Sequence, residues 1–379
     1  MVAASAISIS NGFSLALDEL LFEICEDLQI TPSRYELAVQ RYETLNKLLE
    51  SSLSPFRHFR PEIYPQGSMA LGTTVQPIDG PHDLDFVFEL SSYLRGPMQL
   101  ISELHEFLRG HGTYGPMTTL KNRCVRITYA DEFYMDILPA VRNSAAAGTC
   151  IKVPDCALRT WTDSNPKGYI KWFKDQSGKL LIDRLLEKAA PIPSQQAVEE
   201  KATLQLVVQL LKRWRDLCYA KLPPEMSPIS IVLTTLAADT YRGERSVSKA
   251  LTTALNEIVR LIDASQRAGE AHIHLSNPSN LAEDLTERWN SNPAAYRSFE
   301  HCIREFQRQW TALLARGGNV NSQLEILFGE TVGHVLKKRA QKFQESRLRG
   351  GMGVTSSGLL VPSAAAVIPA RPNTFYGEE

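Results

Sequence analysis

The sequence predicts an α+β fold: a mixed β-sheet early in the chain, then a long run of helices. Three observations carry this. Residues 83–90 (DLDFVFEL) largely alternate and are rich in aromatics, as a half-buried strand does. Residues 124–129 (CVRITY) and 133–141 (FYMDILPAV) have the same character and flank a short Ala130-Asp131-Glu132 turn, which reads as a hairpin. From about 196 to 346, apolar residues recur at helical spacing almost throughout. Strands followed by helices, rather than alternating with them, indicate α+β.

The elements follow in order. Residues 14–29 repeat apolar residues at helical spacing, with Ser14 as N-cap. Thr31-Pro32 opens a second helix by the rule of cap then proline, and it runs to about Glu50. Pro55, Pro61 and Pro65 make 54–66 a loop or short strand. Residues 97–109 read as a helix. Residues 142–195 read as an irregular, Pro-containing crossing segment, ordered because Trp161, Tyr169, Trp172 and Phe173 lie within it. Helices are expected near 196–219, 228–242, 246–266, 279–290, 293–315 and 322–346. Residues 347–379 are rich in Gly, Ser, Ala and Pro with few charges, which predicts a mobile tail. The expected domains are 1–195, a core with its N-terminal helices and crossing segment, 196–346, a helical domain, and the tail 347–379.

Composition excludes several classes. The 379 residues suffice for roughly two domains. With 41 Lys and Arg against 42 Asp and Glu, the net charge is −1. A chain that grips long nucleic acid carries a basic excess, so a small phosphorylated ligand suits this one better than a long template. No run approaches the ~18 apolar residues needed to span a bilayer. The start, MVAASAISISNG, has no basic n-region and reads as a ragged terminus rather than a signal peptide. The six cysteines are scattered without a C-x-x-C, as buried free thiols in a reducing cytosol would be. His272 and His274 lack the partners of a zinc site. A cytoplasmic protein with no membrane partner is expected.

Three features carry chemistry. Gly67-Ser68 follows the extended Tyr64-Pro65-Gln66. Asp83-Leu84-Asp85 opens a strand, and Asp136 is the one acid in the apolar run FYMDIL. Side chains two apart on a strand share a face, so Asp83 and Asp85 project together. Like charges that close raise each other's pKa, and a divalent cation resolves the conflict, with hard carboxylate oxygens suiting Mg²⁺. Asp136 on an adjacent strand would face the same site. Three carboxylates can hold two ions about 3.5–4 Å apart that activate a hydroxyl and stabilise a leaving phosphate oxygen. Gly67 lets the backbone approach a phosphate, Ser68 adds a hydroxyl donor, and a helix opening at SMAL would aim its positive end there. Taken singly, each has an ordinary explanation: a turn, an exposed strand edge, a solvent-facing acid. Their order on these elements points to nucleotidyl transfer.

GSMALGTTVQPIDGPHDLDFVFEL followed by FYMDILPAV resembles the polymerase-β-like nucleotidyltransferases, and more narrowly the cGAS/DncV-like nucleotidyltransferases of bacteria (CD-NTases). LRTWTDSNPKGYIKWF resembles the stretch joining the two halves in bacterial members. The resemblance covers roughly residues 15–340. It implies a nucleotidyltransferase core with a mixed sheet packed on a C-terminal helical bundle. Asp83 and Asp85 would bind two Mg²⁺ ions, with Mn²⁺ as a substitute, and Asp136 would complete the second site and help deprotonate the acceptor hydroxyl. Gly67 and Ser68 would hold the β- and γ-phosphates, with Gln66 within reach of the nucleotide.

In the helical half the family sets a lysine and then a serine against the triphosphate, and Lys212 and Ser230 match that pattern. Ser227 rivals Ser230, and Lys212 also reads as a lysine snorkelling from an apolar stripe. Arg213 and Arg215 fall on other helix faces and read as solvated surface. His82 points away from the acids and reads as structural. Trp161, Tyr169 and Trp172 read as core seals or base-stacking rings. Asn277-Pro278 and Asn280 resemble a loop capping the helical half in relatives.

The implied activity is template-independent condensation of NTPs (ATP, GTP or pyrimidine NTPs) into a cyclic di- or trinucleotide signal for antiphage (CBASS-type) defence, releasing pyrophosphate. A downstream effector would bind the product. The tail ARPNTFYGEE would suit a ubiquitin-ligase-like conjugating partner, or be a plain disordered end. Two other functions compete: nucleotide transfer onto an RNA or protein acceptor, and a non-catalytic nucleotide sensor or scaffold. The near-neutral charge opposes a large RNA acceptor. The acidic triad opposes a sensor.

Overall fold

In the computed structural model, residues 2–130, 132–143, 145, 148–178, 195–315 and 319–348 are described, together with 352–354, 360–362 and 368–369. Seven strands form one mixed sheet: β1 (Glu62–Pro65), β2 (His82–Leu90), β3 (Thr118–Leu120), β4 (Val125–Tyr129), β5 (Phe133–Arg142), β6 (Ile151–Asp155) and β7 (Thr160–Ser164). The order is β1-β2-β5-β4-β3, with β6 on the end of β5 and β7 beyond it. Strands β2 and β5 are parallel, and the other pairs are antiparallel. The predicted hairpin is therefore β4–β5, although Asp131 of its turn lies outside the described residues.

Alternation on β2 sorts its residues between two environments. Leu84, Phe86, Phe88 and Leu90 enter a core with Val125 and Ile127 of β4 and Phe133, Met135 and Ile137 of β5. Helix α2 (Pro32–Glu50) closes that core with Tyr42, Leu45 and Leu49, and α4 (Pro97–Arg109) with Leu100, Leu104 and Leu108. Asp83, Asp85, Val87 and Glu89 take the opposite face, where Val87 joins a smaller cluster with Tyr64, Ala140, Ile151 and Val153. One face of the sheet is thus a dry core, and the other is free for polar groups.

Helix α1 (Val2–Leu28) precedes α2, and the five-residue α3 (Gly67–Leu71) links β1 to the loop before β2. Helix α5 (Pro166–Gln176) follows β7. The helical part comprises α6 (Thr203–Tyr219), α7 (Ser230–Thr240), α8 (Val247–Arg267), the hairpin β8 (Ser276–Asn277) and β9 (Asn280–Asp284), α9 (Glu287–Ser291) and α10 (Pro293–Leu314). Leu233, Leu236, Ile258, Ile262, Trp289 and Phe299 centre its core. Helix α1 packs on this side: the Cys25 thiol bonds the Leu206 carbonyl, and Asp18 accepts from the Ser248 N–H at 2.7 Å.

Residues 1–318 form one compact unit and 319–379 a second. The second contains α11 (Val320–Phe328), α12 (Glu330–Leu348) and the short strands β10 (Met352–Val354), β11 (Leu360–Pro362) and β12 (Ile368–Pro369), which pair antiparallel around β10.

Five local expectations need correction. Helix α1 begins at Val2, so Ser14 lies inside it and is no N-cap; Ala, Ser and Ile without proline leave the helix free to extend. Residues 142–195 are not simply irregular, since they contain β6, β7 and α5. Residues 279–290 are not one helix: Asn277 Oδ1 accepts from the Ser279 N–H, making a turn that pairs β8 with β9. Residues 322–346 are two helices split at Gly329, whose φ of 73° breaks the run. Of the six free cysteines, only Cys25 and Cys302 are buried; the other four are half-buried. The mobile-tail expectation falls largely on residues outside the description.

Candidate active site

Parallel register sets Asp85 of β2 directly beside Asp136 of β5, and Asp83 beside Tyr134. The antiparallel hairpin sets Arg126 of β4 beside Asp136 on its other flank. These five side chains share the polar face because all lie at the same parity of their strands. Arg126 makes a bidentate pair with Asp136, Nε to Oδ1 and Nη2 to Oδ2, each 2.7 Å, and reaches Asp83 Oδ1 at 3.3 Å. Its guanidinium lies over the Tyr134 ring at 4.4 Å. The hydrogen bonds that it donates to Asp136 hold Arg126 firmly protonated.

Asp83 is the open member, with its side chain 63% exposed against 17% for Asp136. Asp85 is half-buried between them. Burial, then the charges of Asp136 and Asp83, push its pKa up to about 7, against the pull of Lys212 and Arg126. Among the described residues, no three acidic, His or Cys side chains are grouped to cage an ion as they stand. Between Asp83 and Asp136 stands a guanidinium, a cation where these hard oxygen donors call for one. The donor set fits divalent ions, provided that Arg126 yields its place.

Gly67 meets the acids from the other side. It opens α3 with φ +57°, and a Cβ there would lie 2.9 Å from Asp85 Oδ2. Only glycine brings the backbone this close in this conformation. The Gln66 N–H donates to the Asp85 carbonyl at 2.8 Å, tying the turn to β2. The Ser68 carbonyl accepts from the Thr73 N–H at 2.9 Å, which folds the chain back after α3. Gln66 and Gly67 are thus brought to Asp85, with Ser68 next along α3.

Lys212 and Ser230 are placed differently from each other. Lys212 of α6 is buried and donates to the Thr73 carbonyl at 3.0 Å and its hydroxyl at 3.2 Å. Burial, then the Arg215 charge, lowers its pKa to about 7. Ser230 opens α7, and its hydroxyl accepts from Arg215 Nη1 at 2.5 Å. The Ser227 hydroxyl donates to the adjacent Pro228 carbonyl at 3.5 Å. Neither arginine is solvated surface, contrary to expectation. Arg213 is buried and donates to the Gln76 carbonyl at 2.9 Å, and Arg215 is largely covered between Ser230 and Asp216.

His82 is buried on the core side against Phe133, and burial lowers its pKa to about 4. The Tyr169 hydroxyl pairs with Thr235 at 2.8 Å, so this ring seals α5 onto α7. Arg126 escaped the sequence reading, although the hairpin register and the alternation of VRITY would have set it opposite Asp136.

Residues 16–177 match the Second Messenger Oligonucleotide or Dinucleotide Synthetase domain. A c-di-GMP synthase of Roseivirga ehrenbergii is 30% identical, covering 98% of this chain and all of the relative. The chain belongs to the CD-NTases. The cyclic dinucleotide synthase CdnG of Bradyrhizobium diazoefficiens is 27% identical over 97% of this CD-NTase and 96% of the relative. The fold matches the structure of CdnG from that organism, solved with GTP, at a TM-score of 0.70, with 24% identity over 86% of this chain and 99% of the other. A polymerase-β-like core and a helical half are thus the architecture of this CD-NTase, as the resemblance implied.

Proposed function

We propose that this CD-NTase condenses NTPs, GTP among them, into a cyclic dinucleotide. The observation that carries the reading is the close approach of the Gly67 turn to Asp85, with Asp83 and Asp136 beside it on one sheet face. The relatives named as cyclic dinucleotide synthases support the choice of product, and CdnG with GTP supports guanine.

In this reading Asp83, Asp85 and Asp136 hold two Mg²⁺ ions, for which Mn²⁺ substitutes. Bound metal supplies Lewis-acid stabilisation of the attacking and leaving oxygens. The chain's own residues do the rest. Gly67 and Ser68 hold the β- and γ-phosphates with a backbone N–H and a hydroxyl, and Gln66 sets the start of that turn. Arg215 and Ser230 face the triphosphate from the helical half, and Lys212 holds the loop behind it. Asp136 accepts the proton of the acceptor ribose hydroxyl once Arg126 has withdrawn. The hydroxyl oxygen bonds the α-phosphorus, the bond to the bridging oxygen breaks, and pyrophosphate leaves. A second such transfer closes the ring.

The enzyme works in the cytoplasm, where NTPs are supplied. Its product acts on an effector in antiphage defence, and a conjugating partner acts at the C-terminal tail. The test is incubation with Mg²⁺ and labelled GTP and ATP, followed by phosphatase. A phosphatase-resistant dinucleotide is expected from the wild type and none from the Asp83→Ala/Asp85→Ala double variant. Label fixed only on added RNA or protein would refute the reading.

A further inference from the structure

The segment Leu71–Gln76 runs from the end of α3 toward β2, joining the Gly-Ser turn to the acidic strand. It pairs with no strand among the described residues, so its carbonyls need partners from elsewhere. Five of its six carbonyls receive a side chain from α6 or from Lys201, two residues before it. Gln205 Nε2 donates to Leu71 O at 2.8 Å, Lys201 Nζ to Gly72 O at 2.8 Å and Lys212 Nζ to Thr73 O at 3.0 Å. Gln209 Nε2 donates to Thr74 O at 2.8 Å, and Arg213 Nη2 to Gln76 O at 2.9 Å. Positions 205, 209, 212 and 213 lie on one stripe of α6, and Lys201 stands in the extended residues that lead into it. From Gln205 to Arg213 the helix rises about 12 Å, so the loop, which in full extension would reach about 17 Å, runs along it with little slack.

Gly72 supplies an independent sign of close fit. It has φ +66°, and a Cβ there would stand 2.5 Å from Gln205 Nε2 and 2.8 Å from Gln196 Oε1. Gln209 is a costly member for a neutral side chain. It is fully buried between Val208 and Leu210, and its Oε1 has no hydrogen-bond partner among the described residues. A buried amide half-satisfied is expensive, and an apolar residue would pack there at less cost. Gln205 has a second duty, accepting from the Ala202 N–H at the start of α6.

We propose that Gln209 is a positioning residue, which through the Thr74 carbonyl holds the Gly67-Ser68 turn in reactive alignment with Asp85. The inference rests on the proposed nucleotidyl transfer, in which that turn holds the phosphates. Misplacing a reacting group by a fraction of an ångström lowers turnover more than it lowers binding.

The test uses the full chain carrying Gln209→Met, which keeps the volume and removes the donor. Hydrogen exchange, melting temperature and steady-state turnover of GTP are measured together. Exchange across 67–76 should quicken about tenfold while α6 and the sheet keep their protection and the melting temperature stays within a few degrees. Turnover number should fall at least about tenfold, with KM for GTP changed less than about threefold. Unchanged exchange across 67–76 would overturn the proposal. So would a raised KM at unchanged turnover number, the mark of a direct nucleotide contact, or a loss of stability with turnover intact. Should Gln209→Met fail to fold, Gln209→Asn, one methylene short of Thr74, carries the same expectations. If the wild type turns over no GTP, the proposed activity fails, and the exchange measurement still decides whether Gln209 holds the turn.

Discussion

Without metal, Asp85 keeps its proton up to about pH 7, whereas its ordinary value is 3.8. The folded state therefore binds more protons than the unfolded state between those values, and stability falls as pH rises through that window. Asp85→Asn removes the penalty. In metal-free buffer the variant should melt a few degrees above wild type at pH 8 and show no gain at pH 4. Millimolar Mg²⁺ should raise the wild-type melting temperature at pH 8 and leave Asp85→Asn nearly unmoved, because ligand binding stabilises only a state that binds. A gain at pH 4 equal to that at pH 8 would show that Asp85 is not a buried, shifted acid.

Gly67→Ala tests the other wall of the site. The new methyl meets Asp85 Oδ2, and a left-handed alanine costs roughly 1–2 kcal/mol. Turnover should fall by at least about tenfold with the fold retained, as circular dichroism would verify.

At the scale of elements, the sheet depends on an ion network on the polar face. Lys167 of α5 donates to Glu62 Oε2 at 2.8 Å, and Arg142 pairs with Glu89 at 2.6 Å. Tyr64 donates its hydroxyl to Glu89 at 3.0 Å and lies 4.2 Å under the Lys167 ammonium. Glu62, Glu89 and Lys167 are mostly covered, so removing the lysine leaves two covered carboxylates to share the half-exposed Arg142. Lys167→Met should cost about 3–5 kcal/mol in urea unfolding, whereas Lys171→Met, in an exposed pair with Asp175, should cost under about 1 kcal/mol.

What the sequence discloses varies by element for physical reasons. Strands β2 and β5 were legible because alternation against a dry core marks every second residue, and their acids stood out as breaks in apolar runs. Helix α2 was legible from Thr31-Pro32, and the Thr31 hydroxyl does accept from the Arg34 N–H. The β8–β9 hairpin was missed because the helical periodicity around it outweighed Asn277-Pro278-Ser279-Asn280, although those residues form a turn. Helix α6 was legible as a helix but its purpose was not. Lys212 and Arg213 meet carbonyls 139 and 137 residues away, and main-chain carbonyls leave no trace in side-chain patterns.

For the whole molecule, a net charge of −1 and an acidic face suit an enzyme that gathers positive charge only where triphosphates sit. No helix among the described residues is long and apolar enough to cross a membrane. Added duplex DNA or RNA should therefore leave the rate of GTP consumption unchanged within about twofold at physiological salt, as the absence of a basic surplus requires. A strong stimulation would mean that a polyanion completes the site.

The central claim is that one cleft joins two nucleotides into a ring. Mass spectrometry of the products formed from an equimolar NTP mixture with Mg²⁺ tests it most directly. A guanine-containing cyclic dinucleotide is expected, formed with two pyrophosphates released per ring and lost when Asp83 and Asp85 are both replaced by alanine. Linear oligomers alone, or a nucleotide covalently fixed to RNA or protein with no free ring, would contradict it.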